Sequence, residues 1–198
     1  MTMKTTTYQP GQNIIDIKKK LRLKKVIKLA SNENPSGPSY KALIAGKKIL
    51  NSINRYPDSK SVELRQIIKK YLSKSYITTD NIMIGNGSNE ILEFIARQYL
   101  NEKSEVLFCK HSFLVYKIIS RNMRARIIES KPIMKPGLEH LSIDLDDMRS
   151  RVTNKTSVIF IANPSNPTGT ALNINKITKF IESLPKKIII VIDEAYYE

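Results

Sequence analysis

From residue 61 onward the apolar positions alternate between two rhythms. Ser61 to Ser73 runs at helical spacing, with Leu64, Ile67, Ile68, Tyr71 and Leu72 on one face. Short apolar runs of strand length stand at Ile82–Ile84, Val106–Phe108, Ala125–Ile128, Val158–Ala162 and Ile188–Ile192. Between them Ile91–Leu100, Phe113–Arg121, Leu145–Val152 and Ile174–Leu184 read as helices. One of Asp144, Asp146 and Asp147 is placed to cap the third of these. Ile188–Ile192 is an unbroken apolar, β-branched run, which predicts a strand buried on both faces. Strands alternating with helices predict an α/β fold, a mainly parallel sheet sandwiched by helices.

The amino-terminal quarter is patterned differently. Residues 1–30 read as a basic arm with a few apolar anchors, Leu21, Leu23, Val26 and Ile27. Ser31–Pro38 is a loop by composition, Lys41–Leu50 a short amphipathic helix, and Asn54–Asp58 a second loop. The expected division is residues 1–53 as an arm with a small-domain segment and 54–198 as a ligand-binding large domain. The last apolar run is followed at once by the chain's end at Glu198, so that domain is expected to be incomplete.

Composition narrows the class. Of 198 residues 41% are hydrophobic and 26% charged, as in a globular protein with a core. Cys109 is the single cysteine, which excludes an intrachain disulfide, and the two histidines, His111 and His140, lack metal-ligand spacing. No apolar run approaches a membrane span or the core of a signal peptide, so the cytoplasm is the expected compartment and no membrane partner is expected. The net charge of +15 raises the alternative of a basic nucleic-acid-binding protein. The lysines are scattered and no nucleic-acid motif accompanies them, which favours a lysine-rich surface and no nucleic-acid partner.

Three polar clusters fall at strand ends, where α/β sheets bind ligands. Gly85–Glu90 joins a strand to a helix, and free N–H groups there favour a phosphate. The cluster is not the dinucleotide fingerprint, because Glu90 takes the third glycine position. Asn163–Gly169 contains two Asn-Pro steps, a rigid turn that can aim Asn166 at a ligand oxygen. Asp193–Tyr197 ends the last apolar run with a carboxylate, and Tyr196 follows three residues later. An apolar run closed by Asp-Glu also resembles the Walker B strand of nucleoside triphosphatases. No phosphate loop accompanies it, since Gly46-Lys47 is followed by Lys48.

A phosphate cup, an amide for an oxygen and an anion for a cationic ring nitrogen together suit pyridoxal 5′-phosphate. At this point the chain resembles the amino-terminal part of a fold-type I aminotransferase, specifically of the histidinol-phosphate group. The resemblance rests on Tyr8–Gly11, Lys28–Pro35, Arg55–Asp58, Gly85–Glu90, Asn166–Gly169 and Asp193–Tyr196.

The resemblance implies a role for each matching residue. Gly87, Ser88 and Asn89 hold the cofactor phosphate, and Phe113 stacks on the ring where many relatives have tyrosine. Asn166 and Tyr196 hold the ring's phenolic oxygen, and Asp193 pairs with its nitrogen. Tyr56 reaches the cofactor of a neighbouring subunit, implying a homodimer, and Tyr8, Asn32 and Asn34 line the substrate side. The Asn166–Pro167 bond is expected to be cis. The implied reaction moves an amino group between glutamate and imidazole-acetol phosphate, a small-molecule donor and a phosphate-bearing acceptor, in histidine biosynthesis. The family's cofactor-bearing lysine lies downstream of the Asp-x-x-Tyr segment and has no counterpart here, so no catalytic residue is assigned and this chain alone is expected to be inactive. The alternatives are an aminotransferase of the same fold acting on aromatic amino acids or another amino-phosphate, and a non-catalytic remnant.

Overall fold

A computed structural model describes residues 13–198. They divide into two compact units, one holding residues 13–83 and the other residues 84–198.

The first unit is helical. Helix α1 (Ile14–Leu21) starts at Asn13, whose side chain accepts from the Ile15 N–H at 2.8 Å, and stops at Arg22 in the left-handed region. The arm expected from sequence therefore contains a helix. Its apolar residues Ile14, Ile17 and Leu21 recur at helical spacing between lysines, and the capping asparagine fixes the start. Helix α2 (Tyr40–Ile49), capped by Ser39, and helix α3 (Val62–Leu72) match the expected segments closely. Arg65 on α3 donates through Nε to the Thr79 carbonyl at 2.8 Å and through Nη2 to Asp80 at 3.1 Å. That ties α3 to the short 3₁₀ turn Thr79–Asn81.

The expected strand Ile82–Ile84 does not form. Ile82 has extended backbone, with φ −116° and ψ 122°, but the segment pairs with none of the described strands. Apolar β-branched content sets the local dihedrals, whereas a strand also requires a ladder partner.

The second unit is built on four parallel strands: β1 (Glu105–Cys109), β2 (Arg126–Ser130), β3 (Thr156–Ala162) and β4 (Ile189–Asp193). Their spatial order is β2-β1-β3-β4. Helices α4 (Gly87–Tyr99) and α5 (Leu114–Asn122) pack on one face, and α6 (Leu145–Ser150) and α7 (Ile174–Glu182) on the other. Alternate residues of β1 and β3 feed the two cores. Val106, Phe108, Val158 and Phe160 meet α4 and α5, while Leu107, Cys109, Ile159 and Ile161 meet α6 and α7. Asp144 is the cap of α6, accepting from the N–H groups of Asp146 and Asp147.

The expectation of a doubly buried last strand is corrected. β4 is half-buried along its length, because it pairs with β3 alone among the described strands and forms an edge. The unbroken apolar run specifies a strand but not its position in the sheet. No helix among the described residues is long and apolar enough to cross a membrane.

Candidate functional site

The strand order places a switch point between β1 and β3. From β1 the chain moves outward to β2, and from β3 it moves the opposite way to β4. Crevices open beyond the carboxyl ends of strands at such points. A cleft of about 320 Å³, including its open mouth, lies there. Ser88, Phe113, Asn166, Asp193 and Tyr196 line it, with Ala162, Pro164 and Ala195 completing the wall.

Ser88 sits in the first turn of α4. That helix begins earlier than the apolar period indicates, at Gly87 with φ +73°, so most of the polar turn is its first turn. A positive φ favours glycine at this position. The N-cap residue Asn86 makes no side-chain cap, which leaves first-turn N–H groups for an external acceptor. Glu90 folds back and accepts from the Asn86 N–H at 2.6 Å. Upstream, a Cβ added to Gly85 would stand 2.8 Å from the Ile91 side chain, so a larger residue there would force that side chain to shift. Gly87 and Asn89 flank Ser88 in this turn.

Asn166 is carried by a braced loop. Asn163 at the end of β3 accepts from the Leu172 N–H at 2.7 Å, and its own N–H donates to the Asp193 carbonyl at 3.0 Å. Within the loop the Gly169 N–H donates to the Ser165 carbonyl, and the Ser165 N–H to Thr170, each at 2.8 Å. The Asn166–Pro167 bond is cis as expected, and so is Asn163–Pro164, which the sequence reading did not anticipate. Asn166 Nδ2 donates to the Tyr196 hydroxyl at 3.4 Å. The two groups implied to share one ligand oxygen thus meet directly.

Asp193 ends β4. Its Oδ1 accepts from the Ala195 N–H at 3.2 Å, and its Oδ2 accepts from the Tyr116 hydroxyl at 2.7 Å. Tyr116 is fully buried on α5. Burial first, and then the Asp193 carboxylate, push its phenol ionisation far above the usual range, so it stays a donor. Its ring stacks on Phe160 and meets Phe113 edge-on, with centroids 6.0 Å apart and planes at 89°.

Sequence reasoning missed Tyr116. The signal was present: Tyr116 stands on the inward face of its helix with Val115 and Ile119, and a buried tyrosine hydroxyl needs a partner.

Tyr56, Asn32 and Asn34 belong to the helical unit. Tyr56 is fully exposed there. Asn34 braces its own loop through the Ser36 N–H at 3.0 Å and the Gly37 carbonyl at 3.3 Å. Tyr8 lies outside the described residues.

The family model for aminotransferase class I and II matches residues 24–198. The chain belongs to that family. A histidinol-phosphate aminotransferase from Idiomarina loihiensis is 41% identical over 96% of this aminotransferase-family chain. The chain spans about half the length of the curated relatives it matches, 50% in that case. The same fold is seen in a histidinol-phosphate aminotransferase from Sinorhizobium meliloti solved in complex with pyridoxal-5′-phosphate. The TM-score is 0.83 at 20% identity, over 99% of this chain and 51% of that one. A further histidinol-phosphate aminotransferase, from Clostridium acetobutylicum, superposes with a TM-score of 0.70 at 27% identity, over 83% of this chain and 46% of that one.

Proposed function

We propose that the cleft binds pyridoxal 5′-phosphate and serves amino transfer between glutamate and imidazole-acetol phosphate. The observation that carries this reading is the convergence of Ser88, Phe113, Asn166, Asp193 and Tyr196 on one cleft. The donor set suits the cofactor group by group. The start of α4 offers the backbone N–H groups of Ser88 and Asn89, just after Gly87, and a positive helix end to a phosphate, while the Gly87 N–H is held by the Gly85 carbonyl at 2.9 Å. Phe113 offers an aromatic face, and Asn166 with Tyr196 offers donors to a phenolate oxygen. Asp193 offers a fixed carboxylate to a protonated ring nitrogen.

When bound, the protonated pyridine ring supplies an electron sink for the amino acid's α-carbon. The chain's own contribution is placement. Asp193 keeps a proton on the ring nitrogen, Asn166 and Tyr196 fix the ring's rotation, and Phe113 covers one face against water. The specific substrate pair is supported by the histidinol-phosphate relatives.

The same reading takes residues 1–53 as an arm and small-domain segment and 54–198 as the cofactor-binding large domain. It extends to a cytoplasmic homodimer, in which Tyr56 reaches the partner's cofactor and Tyr8, Asn32 and Asn34 border the substrate. Among the described residues no lysine lines the cleft. The 198-residue chain by itself is therefore expected to bind the cofactor without turnover.

Two measurements test this reading. Equilibrium dialysis of the purified chain against pyridoxal 5′-phosphate is expected to give one equivalent bound; scattered substoichiometric attachment to surface lysines would sink the cofactor assignment. For the substrate, this chain can replace the corresponding half of the Idiomarina loihiensis relative in a chimera. Glutamate-dependent amination of imidazole-acetol phosphate is expected to exceed that of phenylpyruvate, and the reverse preference would overturn the substrate assignment.

A further inference from the structure

Asp193 is held from behind by a residue that lies outside the cleft wall. The Tyr116 hydroxyl reaches Oδ2 at 2.7 Å from 77 positions away in sequence, while the Ala195 N–H holds Oδ1 at 3.2 Å. Both carboxylate oxygens thus have a fixed donor, and the rotation of the group about its last bond is set. The donor itself is immobile. Tyr116 is wholly buried, stacked on Phe160 at 4.8 Å and 8°, tilted against Phe108 at 6.0 Å, and met edge-on by Phe113. Phe113 also lines the cleft. One side chain therefore touches both the anion and the aromatic wall of the site without entering it.

We propose that Tyr116 is a positioning residue, which fixes the Asp193 carboxylate so that its free lone pairs face a cationic ring nitrogen in the cleft. The proposal rests on the cofactor reading above. A buried tyrosine could take any nearby acceptor to satisfy its hydroxyl. Here the acceptor is the one carboxylate that lines the cleft among the described residues, and a phenol that remains protonated never competes with it as an anion. The hydrogen bond to an ionised group is also among the stronger kinds.

The test is a double-mutant cycle on the 198-residue chain, with pyridoxal 5′-phosphate as the probe. Dissociation constants are measured by equilibrium dialysis for the wild type, Tyr116→Phe, Asp193→Asn and the double variant. Near-ultraviolet circular dichroism reports the fold of each. Asp193→Asn is expected to weaken binding by about tenfold or more, and Tyr116→Phe by roughly fivefold. In the Asp193→Asn background the tyrosine change is expected to add less than about twofold, because its effect passes through the carboxylate.

The failures are distinguishable. No binding by the wild type, or equal binding by wild type and Asp193→Asn, overturns the cofactor reading and this inference with it. Weakened binding in Asp193→Asn with wild-type binding in Tyr116→Phe overturns the tyrosine's role alone. Equal losses from Tyr116→Phe in both backgrounds assign it to general packing and overturn the proposal. If Tyr116→Phe does not fold, the wild-type chain decides. The Tyr116 hydroxyl proton, assigned through its contacts with the Phe160 ring, is followed by proton magnetic resonance. It is expected to shift on saturation with pyridoxal 5′-phosphate, and an unmoved signal overturns the proposal.

Discussion

Tyr116 of α5 lies flat against Phe160 of β3, with ring centroids 4.8 Å apart and planes 8° from parallel. The contact joins the helix after β1 to the strand that carries the Asn166 loop. Phe160 is fully buried, and its neighbours come from α4, α5 and β1. Phe160→Ala should leave a cavity that this layer cannot close. The expected cost is about 3–5 kcal/mol, read as a lower midpoint in urea unfolding. Phe160→Leu should cost much less, and equal losses from both would show that the stack matters beyond volume.

The Asn166–Tyr196 pair should report ligand binding rather than stability. Tyr196 is 42% exposed and its contact with Asn166 is long, at 3.4 Å, so the pair contributes little to folding. Asn166→Ala and Tyr196→Phe are each expected to weaken pyridoxal 5′-phosphate binding by roughly three- to tenfold. Their urea midpoints should stay at the wild-type value. A marked fall in stability with unchanged binding would remove both residues from the cofactor site.

Asp147 gives the fold an acid-sensitive clasp. It accepts from Arg151 Nε at 2.5 Å and Nη2 at 3.0 Å, and from the Lys131 N–H at 2.7 Å. The Arg151 hydrogen bonds, first among the causes, hold its carboxyl below the ordinary carboxylate range. A depressed carboxylate stabilises the fold above its unfolded pKa, near 4, and that contribution is lost as pH falls through the folded value. Asp147→Asn should therefore cost about 1 kcal/mol at neutral pH, as suits a partly screened pair. The stabilities of wild type and variant should converge as pH falls through the lowered folded value of the carboxyl. A constant difference across pH would mean that the charge is irrelevant.

Cys109 should be silent in the folded chain. It ends β1, 2% exposed, and burial is the first cause that pushes its thiol above the usual range. A protonated, enclosed thiol neither ionises nor meets reagent at neutral pH. An aromatic disulfide reagent should titrate no thiol in native buffer and one in denaturant. Rapid reaction of the native chain would show that the face covered by α6 and α7 opens readily.

Much of the second unit was legible in the order of residues. Val106–Phe108, Ala125–Ile128 and Val158–Ala162 are apolar runs bounded by turn chemistry; the first and third fall within β1 and β3, and the second overlaps β2 from Arg126 onward. Local propensity and period suffice where an apolar run also finds a ladder partner. They failed at Ile82–Ile84, where strand-forming residues have no ladder partner among the described strands, and at α1, where lysines hid a short helix. They also misjudged β4, whose composition is that of a central strand although it stands at the edge.

By itself the sequence determined the alternation of strands and helices in the second unit and the placing of two of the three polar clusters, Asn163–Gly169 and Asp193–Tyr197, at strand ends, because periodicity and turn chemistry are local properties. Only the tertiary structure decided that Ser88, Phe113, Asn166, Asp193 and Tyr196 share one cleft, since the order β2-β1-β3-β4 arises from packing rather than from spacing along the chain. It alone paired Tyr116 with Asp193. A helical period shows that a side chain faces inward, but which acceptor waits 77 residues away depends on how the helix is laid across the sheet.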